Sequence, residues 1–247
     1  MELSQPNFNA VIDFGNTFGK VGLFDGNQLV LSKSQLEEKD VLLFIEEHSP
    51  QRVIISNVGA SKEQLLQKLS QQCRTLEFTH ETYVPITNQY STPKTLGLDR
   101  LAAVVGAKVF FPHDHCLVID MGTCITYDFI TSEAQYLGGG ISPGMKMRCK
   151  ALHDYTAKLP LVEPVASVPL IGDSTNSSIL SGVVNGIAAE MNGIIEKYTD
   201  KFESIRVLLC GGDANFFESS LKPHIFANRD LVLHGLSRIL QANEEDI

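Results

Sequence analysis

The chain has 247 residues, enough for one large domain or two of about 120 residues each. At 43% hydrophobic and 20% charged residues it reads as globular, and no continuous apolar stretch approaches the ~18 residues of a membrane span. A net charge of −9 without a basic run speaks against nucleic-acid or membrane-surface partners, and five scattered cysteines without CxxC spacing speak against a disulfide framework or a zinc site and fit a reducing cytoplasm. "MELSQPNFNA" carries neither the basic region nor the apolar core of a signal peptide.

Residues 10–14, 20–24 and 28–34 read as short strands parted by Gly15–Asn16 and Asp25–Gly26–Asn27 turns. An apolar centre flanked by charges predicts a helix over 37–48, followed by a buried strand at 52–56. Leu65, Leu66, Leu69 and Cys73 at helical spacing predict a helix over 61–73, with Ser61 as its cap. A further strand fits 75–78, a polar loop fits 79–95, and a helix fits 98–111 before Pro112. The stretch 116–130 repeats the strand–turn–strand pattern of the opening, and 136–160 reads as a glycine-rich turn and a helix of about ten residues. A long helix over 178–198 has Ile179, Val183, Ile187, Met191 and Ile194 on one face. Its Gly182, Gly186 and Gly193 point to close packing or ligand approach. A strand then enters a glycine turn within 205–217, and 228–241 is the terminal helix.

The chemistry sits in the turns. "VIDFGNT" and "VIDMGTC" share V-I-D-x-G, and their aspartates, Asp13 and Asp120, lie 107 residues apart. One such turn is an ordinary hairpin; two, each opening a β-rich half, point to duplicated domains. A glycine turn aims several backbone N–H groups at one spot and so attracts an anion such as phosphate. Thr and Asn add neutral donors, and Lys20 adds charge. An aspartate there suits a metal ion that bridges phosphates rather than the phosphates themselves. Asp13, Gly15, Asn16, Thr17 and Lys20 thus have the parts for Mg²⁺ and polyphosphate together. Asp120, Gly122 and Thr123 form the second turn, and Gly211–Gly212–Asp213 a third against which a flat base can lie. Asp99 at a helix start reads as a cap or as a base, Tyr90 as a solvated residue or a ligand contact, and Thr175 as a cap. The chain has neither a Walker pattern nor a G-x-G-x-x-G.

Two D-x-G-[NT] hairpins in duplicated halves resemble the superfamily of sugar kinases, acetate kinase, actin and the heat-shock chaperone ATPases. Within it, the ordered set "DFGNTFGK", "GLDR", "DMGTCITYD", "GGGISPG", "LP", "GDST" and "CGGDA" resembles type III pantothenate kinase over nearly the whole chain. Cys124 stands where that family usually has alanine, and Cys210 where threonine is common.

The resemblance implies an α/β fold of two duplicated ribonuclease-H-like domains, 1–114 and 115–247, with the nucleotide cleft between them. It implies a kinase that moves the ATP γ-phosphoryl group to the primary hydroxyl of pantothenate, the first step toward coenzyme A. Asp13, Gly15, Asn16, Thr17, Lys20, Thr123, Gly211 and Gly212 would then bind ATP, with Asp13 organising Mg²⁺. Asp120 would hold a monovalent cation, K⁺ or NH₄⁺. Tyr90, Gly97, Leu98, Asp99, Arg100 and Thr175 would line the pantothenate pocket, and Asp99 would be the catalytic base. The family also implies a homodimer, and the wide apolar stripe and the glycines make the 178–198 helix its expected contact. A kinase with another acceptor, such as a sugar, and a nucleotide-binding regulator without activity are the rival readings.

Overall fold

The computed structural model describes residues 8–15, 18–56, 63–165, 168–217 and 225–244. In chain order the elements are β1 (Phe8–Phe14), β2 (Gly19–Asp25), β3 (Gln28–Leu36), α1 (Glu38–His48), β4 (Arg52–Ser56), α2 (Glu63–Gln72), β5 (Arg74–Glu77), β6 (Thr87–Asn88) and α3 (Leu98–Phe110). There follow β7 (His115–Met121), β8 (Cys124–Ile130), β9 (Gln135–Pro143), α4 (Met145–Asp154), α5 (Thr175–Lys201), β10 (Ile205–Cys210), α6 (Ala214–Phe217), β11 (Ile225–Ala227) and α7 (Leu231–Ala242). They cluster as two units, one of residues 1–112, 134–136 and 230–247, the other of 113–133 and 137–229.

The first unit has the sheet β3-β2-β1-β4-β5. β1, β2 and β3 are antiparallel neighbours, whereas β4 runs parallel to β1 and β5 parallel to β4. Residues 10–12 of β1 and 53–56 of β4 are buried regardless of parity, the pattern of strands covered on both faces. One face carries Ile12, Phe14, Val21 and Ile55, packed on Val41, Phe44 and Leu69 of α1 and α2. The other is covered by α7, which packs in turn on α3. A β-carbon on Gly106 would strike the Leu231 carbonyl, and one on Gly235 the Ala102 carbonyl, so these two helices touch backbone to backbone.

In the second unit the strands run β11-β10-β7-β8-β9, the order of the first unit repeated. β7 pairs antiparallel with β8 and parallel with β10, as β1 does with β2 and β4. Its core gathers Leu117, Ile119 and Phe129 from the sheet with Ile187 and Met191 of α5. By length and apolarity α5 is the one described helix able to cross a membrane, at 27 residues and a mean hydropathy of 1.2 over its 18-residue window. Its apolar stripe is instead part of this core.

Several expectations need correction. The expected split at 114/115 puts the terminal helix with the second half. α7 belongs to the first unit because the glycine crossing and the α7 stripe of Leu233, Leu236 and Leu240 bury against α3 and that sheet. Gly138–Gly140, expected as a turn, lie inside β9. The expected loop 79–95 contains β6, which pairs with Gln135 and Tyr136, and a 3₁₀ turn at Pro93–Thr95. α5 begins at Thr175, earlier than its apolar pattern, because Ser174 and Ser177 form a reciprocal capping box. Among the described residues nothing lies within 4 Å of a β-carbon on Gly182, Gly186 or Gly193, so of the close packing or ligand approach expected of them the close packing is not met there. Ser61, the expected cap of α2, lies outside the described residues.

Candidate active site

In the first unit β1 delivers Asp13 to the end of the sheet, in register with Lys20 on β2 and Ser56 on β4. The Gly15 N–H donates to the Phe18 carbonyl at 3.0 Å and closes the turn. Asn16 and Thr17, at the turn's apex, lie outside the described residues. Lys20 Nζ is 3.0 Å from Asp230 Oδ1, the N-cap residue of α7.

The same unit holds the start of α3. Gly97 is its N-cap residue, and Leu98 and Asp99 are its first two helical residues. Asp99 is exposed, and its Oδ1 accepts the Arg100 N–H at 2.9 Å. The carboxylate folds back so far that a β-carbon on Gly97 would collide with it. Arg100 is 7% exposed, unusual for a cation, and its guanidinium carbon lies 5.8 Å from the centre of the Tyr90 ring. Tyr90 stacks at 6.1 Å on the fully buried Tyr136, and its N–H donates to Asn88 Oδ1 at 3.0 Å. His80 Nε2 meets the Leu96 carbonyl at 2.9 Å and steadies the approach to Gly97. Tyr90, Gly97, Leu98, Asp99 and Arg100 therefore share one neighbourhood. Tyr136, Asn88 and His80 also belong to it, and sequence reasoning missed all three. The only hint was the polar, aromatic character of "TNQY".

In the second unit the repeat is close. Asp120 sits at the end of β7, in register with Thr126 on β8 and Cys210 on β10. The Gly122 N–H donates to the Cys124 carbonyl and the Gly144 N–H to the Thr123 carbonyl, both at 3.0 Å. The second contact seats the N-terminus of α4 beside the turn. The Asp213 N–H donates to the Met121 carbonyl at 2.9 Å, which brings the third turn to the same place. Gly211 has φ +91°, and a β-carbon there would come within 2.5 Å of Asp120 Oδ1, so only glycine fits. Burial pushes the Asp213 carboxyl above its ordinary value, and Lys146 of α4 opposes that shift. Lys146 and Asp213 thus join Asp120, Thr123, Gly211 and Gly212. "GMK" after the glycine run is the sequence signal for Lys146, and it is hidden because three consecutive glycines read as a turn.

Thr175, also in the second unit, lines an open groove of about 760 Å³ with Leu152, Leu159, Ile179 and Gly182. The nearby α4–α5 contact is fixed by Arg148, which donates to Ser142 Oγ at 2.9 Å and to Glu190 Oε2 at 2.6 Å. Tyr127 OH donates to the other oxygen of Glu190 at 2.8 Å.

The donor set fits the cations that the turns suggest. Among the described residues no cluster of three or more His, Cys, Asp or Glu could hold a metal by itself. Mg²⁺ in phosphate sites takes one or two carboxylates and fills its octahedron with phosphate oxygens and water, so a lone aspartate per turn suffices. Thr126 Oγ1, in register with Asp120, is buried without a hydrogen-bond partner among the described residues, an oxygen to spare beside a carboxylate.

The family model of type III pantothenate kinase matches residues 10–197. The type III pantothenate kinase of Christiangramia forsetii is 44% identical over 241 residues, covering 96% of this chain and 99% of its own. Among solved structures, a Baf family transcriptional activator from Campylobacter jejuni matches with a TM-score of 0.65 at 22% identity, over 96% of this chain and 99% of that one. A ROK hexokinase from Thermus thermophilus matches with a TM-score of 0.54 at 11% identity, over 97% of this chain and all (100%) of that one. The two structures share the fold, in keeping with the repeated strand order of the two units. With the family model spanning most of its length and a near-full-length relative at 44% identity, this chain belongs to the type III pantothenate kinase family.

Proposed function

We propose that the protein transfers the γ-phosphoryl group of ATP to the primary hydroxyl of pantothenate, giving 4′-phosphopantothenate and ADP, the first step of coenzyme A biosynthesis. The observation that carries this reading is membership of the family together with two Asp-x-Gly turns, each with its aspartate one residue before the end of the first strand of its hairpin in two repeated sheets. Phosphoryl transfer has a loose transition state, so placement and charge neutralisation do most of the catalysis.

Asp13 and Asp120 hold the cations, Asp13 for Mg²⁺ and Asp120 for K⁺ or NH₄⁺. Mg²⁺, when bound, neutralises charge on the phosphate oxygens. Gly15, Asn16, Thr17, Lys20 and Thr123 hold the phosphates, and Gly211 and Gly212 accept the base. Asp99 orients the acceptor hydroxyl and takes its proton as the oxygen bonds to the γ-phosphorus and the bond to the ADP oxygen breaks. Arg100, buried and braced over Tyr90, offers its charge to the pantothenate carboxylate. The protein works as a cytoplasmic homodimer whose contact uses the open glycine face of α5, with Thr175 serving the acceptor pocket.

An ATP-dependent assay that couples ADP release to an optical signal tests the reading. Turnover is expected with pantothenate, Mg²⁺ and K⁺, with a fall when K⁺ is replaced by Na⁺. Turnover on sugars but not on pantothenate would assign a different acceptor, and no turnover on either would favour the regulator.

A further inference from the structure

A cavity of about 390 Å³ opens in the first unit between α3, α7 and the β2–β3 turn. That volume lies in the range of small-molecule sites, roughly 300–1,000 Å³. Its lining on α7 begins at His234, four residues from Asp230, and runs away from the Asp13–Lys20 turn to Gln241. α7 starts at Asp230, paired with Lys20, and eleven residues later Gln241 donates to the Gly26 carbonyl and to Asn27 Oδ1 at the other end of the sheet. At 1.5 Å per helical residue those ends are about 16 Å apart. The cavity spans His234 to Gln241 along α7, and the kinase reading uses none of its lining.

Its composition is one-sided. Phe24, Ile86, Val105 and Val109 form an apolar wall. Among the described residues the charged side chains of the lining are Lys108 and Arg238, and none is acidic, in a chain of net charge −9. Arg238 is exposed and has no ion pair among the described residues. Ser237 is the sharper sign. It is 4% exposed, lines the cavity, and its hydroxyl has no hydrogen-bond partner among the described residues. A helical serine usually satisfies itself on the carbonyl one turn back. This one keeps its donor for the cavity. Gln241 cannot serve a ligand in the same way, because its amide is committed to the β2–β3 turn and fixes that wall.

We infer that this cavity binds a small amphipathic anion, a carboxylate or phosphate head on an apolar body. The head meets Arg238 and the Ser237 hydroxyl, and the body lies on Phe24, Ile86, Val105 and Val109. Arg238 and the buried donor select the anion, and the apolar wall separates it from inorganic phosphate and from free nucleotide.

Isothermal titration of the full chain with octanoate, octyl phosphate, octanol and inorganic phosphate tests this. One saturable site per chain is expected for at least one of the two anionic amphiphiles, and the tighter of them identifies the head. Octanol is expected to bind at least tenfold more weakly, and inorganic phosphate not to bind at this site. Arg238→Gln, at an exposed position, should weaken binding about tenfold, the loss of one charged contact. Val109→Trp, which fills the cavity, should abolish it, and circular dichroism checks that the variant is folded; if it is not, Arg238→Gln alone decides. ATP should not compete. The inference is overturned if neither anionic amphiphile saturates, if octanol binds as tightly, if Arg238→Gln binds as the parent does, or if ATP displaces the probe.

Discussion

Lys20 and Asp230 form an ion pair at 3.0 Å that joins the Asp13–Lys20 turn to the start of the last helix. Both side chains are about a quarter exposed, at 27% and 28%, so the pair adds little to stability, on the order of 0–1 kcal/mol. Its importance is positional, because the lysine ammonium is aimed by a residue from the far end of the chain. Lys20→Ala is expected to lower kcat/KM for ATP by about tenfold or more, with pantothenate binding less affected. Asp230→Asn should raise the ATP KM about 3–10-fold, equivalent to ~1 kcal/mol, and leave the melting temperature nearly unchanged. Steady-state kinetics at varied ATP would show both, and unchanged parameters in both variants would reduce the turn to an ordinary hairpin.

Asp99→Asn separates chemistry from capping. Asn keeps an oxygen for the Arg100 N–H, so the fold should survive. Loss of a general base costs about 10²–10⁴ in rate, and kcat should fall by that much. A variant with wild-type kcat would leave Asp99 as a helix-end residue only.

Two glycines on α3 and at its cap make a contrasting pair. Gly97→Ala would push against the Asp99 carboxylate, a displaceable side chain, so turnover should drop with little change in melting temperature. Gly106→Ala would push against the Leu231 backbone, which has no room to yield. Overpacking of this kind costs about 1–3 kcal/mol, and a lowered melting temperature is expected first. Thermal melts and kcat measured side by side on the two variants would check this, and the same response in both would contradict it.

His234 makes stability depend on pH. It packs edge-on to Phe24 and Phe110, and burial pushes its pKa below the ordinary value of 6.5, with Asp230 opposing and Lys20 reinforcing the shift. The unfolded chain therefore binds this proton more readily. The contribution of the neutral ring is fully present above pH 6.5 and is lost as pH falls through the lowered folded value. Between pH 7.5 and 5.5 the parent should lose more thermal stability than His234→Phe. Parallel losses in both proteins would place the acid sensitivity elsewhere.

Most strands were legible because an apolar run ending in Asp-x-Gly names both the strand and its turn, as at Asp13 and Asp120. Helices with a clean stripe, such as α2 with Leu65 and Leu69, were legible for the same reason. β9 was not, because Gly138–Gly140 carry no strand propensity and are strand only through their neighbours. The home of α7 was not either. Periodicity reveals its buried face but not which sheet receives it. At the site, the turn residues could be read singly. The burial of Arg100 between Tyr90 and the core, and the pairing of Lys20 with Asp230, join segments far apart in sequence and leave no local mark.

Oligomeric state can be read at Gly186. An alanine in an open helix position raises helix stability by about 0.8–1.0 kcal/mol, and the space beside Gly186 is open among the described residues. In the homodimer proposed above, that space belongs to the second copy. Gly186→Ala should then weaken self-association in light scattering and lower the melting temperature. A higher melting temperature with an unaltered 27.2 kDa monomer would sink the dimer.

The contact of Gly106 with Gly235 also sets an order of assembly during synthesis. Chains emerge from the ribosome N-terminus first at about 5–20 residues per second, and domains usually close in that order. Here the strands of the first unit and α3 emerge early, yet the helix that covers them is made only after residue 229, when every residue of the second unit has already been translated. Until then Ala102, Val105 and the uncovered face of β1 remain open to water and to chaperones. The chain must hold half a domain in waiting while it builds another.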